Sequence, residues 1–194
     1  NPGSLKQTLA ISGYQYNTAI GAGAQAAGND SLAIGTLATS SIKNGGSSVD
    51  KAIAIGYSAG VSDDKAIAIG SDAKSNSKSA SAIGDTAQAL AENALAVGIN
   101  AQAEGVSSGA IGTKNRVTGA NTYVLGSQNS TAATGTAADV SASNSGIFGN
   151  ENRMEGDSNR IVGNQNVLKM ESLSNNSSNP KDFKNIFVTG NQNT

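Results

Sequence analysis

The chain has 194 residues, with 13 basic and 14 acidic side chains and a net charge of −1, which excludes the basic face that a nucleic-acid binder needs. It holds 24 glycines, two prolines, three phenylalanines and no tryptophan, too little aromatic area for an ordinary two-layer core of this length. Charged residues make up 14%, unlike a charge-driven disordered chain, and the lack of cysteine excludes a disulfide framework and a thiolate metal site.

Residues 1–16 read as a lead-in or cap, with Leu9, Ala10, Ile11, Tyr14 and Tyr16 in an irregular first turn. No secretion signal is visible in them, and no apolar run is long enough to predict a membrane-spanning helix. Residues 17–194 then carry a beat of fourteen. Ala19-Ile20-Gly21 returns as Ala33-Ile34-Gly35, and after a longer step as Ala54-Ile55-Gly56. A regular block follows, with glycines at 70, 84, 98 and 112. The later echoes are Val124-Leu125-Gly126, Ile147-Phe148-Gly149, Ile161-Val162-Gly163 and Val188-Thr189-Gly190, making eleven in all. Three steps lengthen, through insertions near 40–50, 130–145 and 167–186. They are rich in Ser, Asn, Gly, Thr and Ala, and read as loops growing out of a turn.

Fourteen residues are too few for a helix pair but suffice for two short strands and two tight turns. The predicted fold class is therefore all-β, a parallel β-roll or solenoid of 14-residue repeats. In Ala66-Ile67-Ala68-Ile69, alternation puts the isoleucines on one face and the alanines on the other. Both faces are apolar, so both ask for burial. A thin roll has one interior, and the remaining face requires a partner, for which another copy of the chain is the natural choice. Ile34, Ile55, Ile69, Ile83, Val97, Ile111 and Leu125 are accordingly expected at the trimer or core contact. The second half of each repeat, as in Ala73-Lys74-Ser75, reads as an outer strand facing water. The glycine between the halves fits a sharp turn at positive φ. Eleven coils rising ~4.8 Å each predict a rod of roughly 50 Å.

Near residue 112 the beat changes. Three places after the glycine, alanine gives way to Asn115, Asn129, Asn152, Asn166 and Asn193. Two places before it, alanine gives way to Val124, Ile147, Ile161 and Val188. Stacked asparagines can hydrogen-bond along the axis, so a changed cross-section is expected there rather than a new domain.

Eleven in-phase copies of Ala-Ile-Gly-x-x-Ala and its variants resemble the head repeats of trimeric autotransporter adhesins, the YadA-like family of Gram-negative bacteria. The resemblance covers about Asn17 to Asn193. It implies a left-handed parallel β-roll, intertwined or side by side in a homotrimer. It also implies a place on the bacterial cell surface, reached through a coiled-coil stalk and a C-terminal outer-membrane barrel. Heptads, membrane strands and the neck motif that joins head to stalk are not evident here, so the expectation is a head from a longer fibre. Adhesins of this kind attach to host matrix proteins (collagen, fibronectin, laminin) or to cell-surface receptors, CEACAM-type ones included.

Catalysis has little to draw on. Histidine and cysteine are absent, which removes the commonest general base and a common nucleophile. Asp63, Asp64, Asp85 and Glu92 read as solvated turn residues, and there is no Gly-Gly-x-Gly-x-Asp series to bind calcium. Neither a catalytic residue, a cofactor nor a metal is therefore assigned. Lysines such as Lys51, Lys65, Lys74, Lys78 and Lys114 read as a solvated face that opposes edge-to-edge association. Asn29, Asn129, Asn175 and Asn176 open glycosylation-type triplets that read as loop composition. Ligand contacts are expected where the beat is broken, because rigid scaffolds carry function on loops. The candidates are Lys43, Asn44, Val49 and Asp50 in the first insertion, then Thr134, Asp139 and Val140 in the second. Lys169, Asn176, Lys181 and Phe183 come from the third, and Tyr57 is a candidate hot spot on a turn. Three readings stay open: an adhesin head, a spacer with the same fold, and a solenoid with an enzymatic or ice-binding face. In-phase threonines for ice, and convergent acids or bases for catalysis, are both missing from the repeats.

Overall fold

A computed structural model of the chain describes residues 9–10, 16–40, 48–130, 142–168 and 184–194. Among these residues there is no helix, and strands are stacked in two parallel sheets. The first sheet has eleven three-residue strands, from Thr18–Ile20 to Phe187–Thr189. The second has eight two-residue strands, from Leu9–Ala10 to Arg116–Val117. It continues through bridges from Ser130 to Arg116 and Arg153, and through the pairing of Arg153–Met154 with Val167–Leu168. The fourteen-residue beat is the register itself: Ala82 pairs with Ala68 on one side and Ala96 on the other. Stacking starts before residue 17, since Leu9–Ala10 pairs with Gln25–Ala26 in the second sheet.

The two apolar faces of the first sheet have different fates. Ala54, Ala68, Ala82, Ala96 and Ala110 are fully buried and point into the roll. Opposite them, the second sheet turns in Ala26, Ser40, Val61, Ser75, Ala89, Ala103, Val117 and Met154. Small side chains from both sides fill the narrow interior between the sheets. That is how a chain with few aromatics closes a core. Ile34, Ile55, Ile69, Ile83, Val97, Ile111 and Leu125 therefore do not fill the core; each points outward, half-buried or exposed. The outer strands alternate as expected, with Lys74 and Arg116 exposed beside buried Ser75 and Val117.

Each coil turns at its glycine, which takes a φ of +133° at Gly56 and Gly70 and +135° at Gly84. The two corners of a coil also place an ordinary residue in the left-handed region. At the first corner it stands two places after the glycine, as at Leu37, Ser58, Thr86 and Lys114; at the second it includes Lys51, Lys65, Ser79 and Asn93. Non-glycine residues adopt this conformation rarely, at a cost of roughly 1 kcal/mol or more each. Hydrogen bonds to the coil before offset that cost: Leu37 N–H donates to the Ala22 carbonyl at 3.0 Å, and Thr86 N–H to the Ser71 carbonyl at 2.8 Å. Leu37 and Tyr16 are bulky exceptions among these corners, Leu37 at φ +59° and 49% exposed. Asparagine tolerates this region better and keeps the backbone bond. The Leu37→Asn variant is thus expected to gain about 0.5–1 kcal/mol, measured by urea unfolding.

The change of cross-section lies where the beat changes. Val124, Ile147 and Ile161 replace alanine in the interior and are at most 3% exposed. Larger interior groups leave more room at the corners, and amides fill it. Asn115, Asn129, Asn152 and Asn166 are buried and form a ladder. The Nδ2 of Asn129 donates to Asn115 Oδ1 at 3.0 Å and to the Gly149 carbonyl at 2.6 Å. Its Oδ1 accepts from the backbone and side-chain nitrogens of Asn152 at 2.9 and 3.0 Å. The other interior corner changes too: Ala80 and Ala94 give way to buried Ser108, Thr122, Ser145 and Asn159.

Candidate functional site

The insertions share one position on the roll. The first leaves after Ser40, the second after Ser130 and the third after Leu168. Ser40 and Leu168 end strands of the second sheet, and Ser130 bridges that sheet between Arg116 and Arg153. All three departures therefore fall along one edge. By the rise of the coils, the second and third leave ~10 Å apart and the first roughly 29 Å away. Residues 41–47, 131–141 and 169–183 lie outside the described residues. So do the candidates Lys43, Asn44, Thr134, Asp139, Val140, Lys169, Asn176, Lys181 and Phe183.

Between the second and third departures the edge is braced. Arg153 Nη2 meets Glu155 Oε1 at 2.6 Å, and the Glu155 side chain is 6% exposed. Met154 N–H donates to the Ser130 carbonyl at 3.0 Å and Glu155 N–H to the Leu168 carbonyl at 2.9 Å. A partly buried pair of this kind, with Arg153 28% exposed, specifies an arrangement more than it adds stability.

Two candidates at the end of the first insertion belong to the scaffold instead. Val49 is fully buried and packs with Ala52, Ala54 and Val61. Its β-branched side chain, next to two polar loop residues, is a core anchor that sequence spacing alone assigned to the loop. Asp50 is half-buried at the second corner. Its Oδ1 accepts from Asn29 N and Nδ2 at 2.9 and 3.2 Å, and its own N–H donates to Asp64 Oδ1 at 2.9 Å. Tyr57 stands on the turn after Gly56 and is 55% exposed, available as a contact.

Other polar candidates are spent on the same kind of bond. Asp63 Oδ1 accepts from Asp64 N–H at 2.7 Å, while Asp85 and Glu92 are exposed at the two corners of one coil. Asn29 and Asn129 are both committed to stacking bonds, which removes them as glycan acceptors in the folded chain. A second, exposed amide ladder runs through Asn150, Asn164 and Asn191, with Asn150 Nδ2 to Asn164 Oδ1 at 3.0 Å.

The outward face of the first sheet is an extended apolar feature. Toward the later coils it becomes more exposed, with Leu125 at 45%, Phe148 at 58% and Phe187 at 65%. A groove of about 420 Å³ opens there, between Tyr123, Leu125, Phe148, Arg160 and Phe187. Among the described residues, neither the groove nor the edge that carries the insertions presents paired catalytic groups. Sequence reasoning missed the shared edge, although the phase of Ser40, Ser130 and Leu168 relative to Gly35, Gly126 and Gly163 could have shown it.

Comparison with protein families agrees with this geometry. The model of the YadA head domain repeat, two copies long, matches residues 18–38, 50–73, 75–101 and 91–115. The match stops where the Asn ladder begins, yet the coil stacking continues to Thr189. No curated protein sequence matches the chain.

Proposed function

We propose, starting from a chain that carries YadA-like head repeats of the kind found in trimeric autotransporter adhesins, that it is a surface-exposed adhesin head that binds a host matrix protein or cell-surface receptor. The observation that carries the binding role is the single edge from which all three insertions leave a rigid roll. Loops so placed present contacts at set heights without disturbing the stack.

Three copies are the assembly that this reading requires. An outward apolar column, half-buried or exposed at every coil from Ile20 to Val162, is unusual on a chain that stays alone. A partner must match it at every coil over ~43 Å, and another roll with the same rise does so. Closing three copies around this face sets each insertion edge on the outside, in three equivalent places. Weak contacts then act together, and avidity follows. The role is adhesive rather than enzymatic, and the surface in question is that of a Gram-negative bacterium.

The test is a set of trimmed rolls. Residues 41–47 are deleted, and residues 131–141 and 169–183 are each replaced by two residues, which restores the fourteen-residue step in all three coils. Binding of the native chain and of each variant is measured on immobilised matrix proteins and on host cells. The expected result is binding by the native chain, and loss by at least tenfold when the responsible insertion is trimmed, with the roll intact by circular dichroism. Undiminished binding by the triply trimmed roll moves the site to the lateral faces. Absence of any binding by the native chain favours the spacer reading.

A further inference from the structure

The coils are coupled to one another unequally. In the coils of Gly56, Gly70, Gly84 and Gly98, the N–H three places after the glycine turns back within its own coil. Ala59, Ala73, Ala87 and Ala101 donate to the carbonyls of those glycines at 3.3–3.5 Å. From Asn129 onward the same N–H crosses to the coil before. Asn129 N–H donates to Asn115 Oδ1 at 3.0 Å, Asn152 N–H to Asn129 Oδ1 at 2.9 Å and Asn166 N–H to Asn152 Oδ1 at 3.0 Å. The other interior corner switches in step. There Ala80, Ala94 and Ser108 donate within their coils, to the carbonyls of Ser77, Ala91 and Gly105 at 3.1–3.2 Å. In the later coils Ser145 N–H reaches Thr122 Oγ1 at 3.3 Å, Asn159 N–H reaches Ser145 Oγ at 3.1 Å, and Ile186 N–H reaches Asn159 Oδ1 at 3.0 Å.

The apolar interior is divided as well. Buried residues from Val49 to Ala73 pack as one cluster, and those from Ala80 to Ile161 as another. Ser75 stands at the break, fully buried, and its Oγ donates to the Ala80 carbonyl of its own coil at 2.9 Å. A hydroxyl spent in that way adds no apolar contact between coils.

In a stack whose stability is summed neighbour by neighbour, the weaker interfaces open first. We propose that the roll opens in three steps. The coils of Gly56 and Gly70 yield first. Those of Gly84 and Gly98 follow, since they share the later core but lack the side-chain bonds between coils. The coils from Gly126 to Gly163 open last and together. Tyr57 and the end of the first insertion thus sit on the part that yields. The departures of the second and third insertions sit on the part that holds.

One corner supplies a matched reporter in each part. Ser58 and Asp72, then Thr86 and Asn100, then Gln128, Glu151 and Gln165 all hold a left-handed φ and donate N–H to the coil before at 2.8–2.9 Å. Because the local bond is the same, differences in exchange read the opening of each part. Amide hydrogen exchange of the native chain, corrected for intrinsic rates, is expected to give three tiers, each slower than the one before by about tenfold or more. Urea well below the main transition should speed the first tier and leave the third unchanged. Ser75→Ala, the residue that Ala89 and Ala103 supply at the same place, should narrow the gap between the first two tiers. Asn129→Ala should lower Gln128, Glu151 and Gln165 toward the second tier and leave Ser58 and Asp72 unmoved. Equal protection across either boundary in the native chain, or the reverse order, overturns the proposal. So does an unchanged gap in Ser75→Ala, or an Asn129→Ala chain whose first and third tiers fall together as one unit. Should Asn129→Ala fail to fold, the native tiers and their response to urea decide alone.

Discussion

Alanine at Gly84 is expected to destabilise the roll by about 3 kcal/mol or more, in a fold whose total stability is of order 5–15 kcal/mol. Two costs combine. Gly84 sits at φ +135°, outside the range of L-residues, and an added Cβ would stand 2.5 Å from the Gly98 carbonyl oxygen and 2.7 Å from its carbon. The clash is with backbone, which cannot rotate away as a side chain does. Neighbouring glycines meet the same limit, with Gly70 2.3 Å from the oxygen of Gly84 and Gly98 2.3 Å from that of Gly112. Each coil leans on the next, so a shift at one coil is passed on to those beside it. Chemical unfolding should show the native transition split in two or moved far to lower denaturant. A Gly84→Ala chain within 1 kcal/mol of native, by the same ~1 kcal/mol standard used for surface changes, would contradict the close stacking.

Asn129→Asp should cost about 3 kcal/mol or more at neutral pH, although the two side chains have the same shape. Asn129 is 1% exposed and uses both ends of its amide. The carboxylate could still accept from Asn152, but it would set oxygens against Asn115 Oδ1 and the Gly149 carbonyl, which now receive hydrogens. A buried charge without a partner is the costliest outcome for such a site. Asn164→Asp is the control. Asn164 lies in the exposed ladder, with Nδ2 3.1 Å from Asn191 Oδ1, so water can solvate the new charge. Its cost should stay below about 1 kcal/mol. Thermal unfolding of the two variants side by side separates burial from ladder geometry. Equal losses would show that burial is not what makes the inner ladder matter.

Much of the scaffold was legible because one signal repeats. The period placed Ala68, Ala82 and Ala96 in register, and the alternation about Ile69 showed two apolar faces. Which face looks inward was not legible, since Ala and Ile are both apolar and a single strand does not reveal how closely two sheets approach. The Asn column was read as a ladder correctly, because one residue type returned at one phase. The matching change at the other corner escaped notice: Ser108, Thr122, Ser145 and Asn159 serve one purpose with three chemistries. The left-handed corners escaped for the same reason, as Leu37, Lys65 and Thr86 share a backbone state and no side-chain property. At the candidate site, Val49 and Asp50 were taken for loop because they border one. Their neighbours in space, Val61 and Asn29, lie a coil of chain away and so do not show up in local spacing.

Sedimentation equilibrium on the native chain and on Ile69→Asp puts the central claim to its most direct test. Ile69 points out of the roll, on the face assigned to the threefold axis, and its coil closes without it. The native chain should sediment at three times its 19.2 kDa mass. Ile69→Asp should give monomers that keep the native β signature, since a carboxylate buried between sister chains is costly while one facing water is not. A native monomer, or an Ile69→Asp chain that remains a stable trimer, would contradict the account.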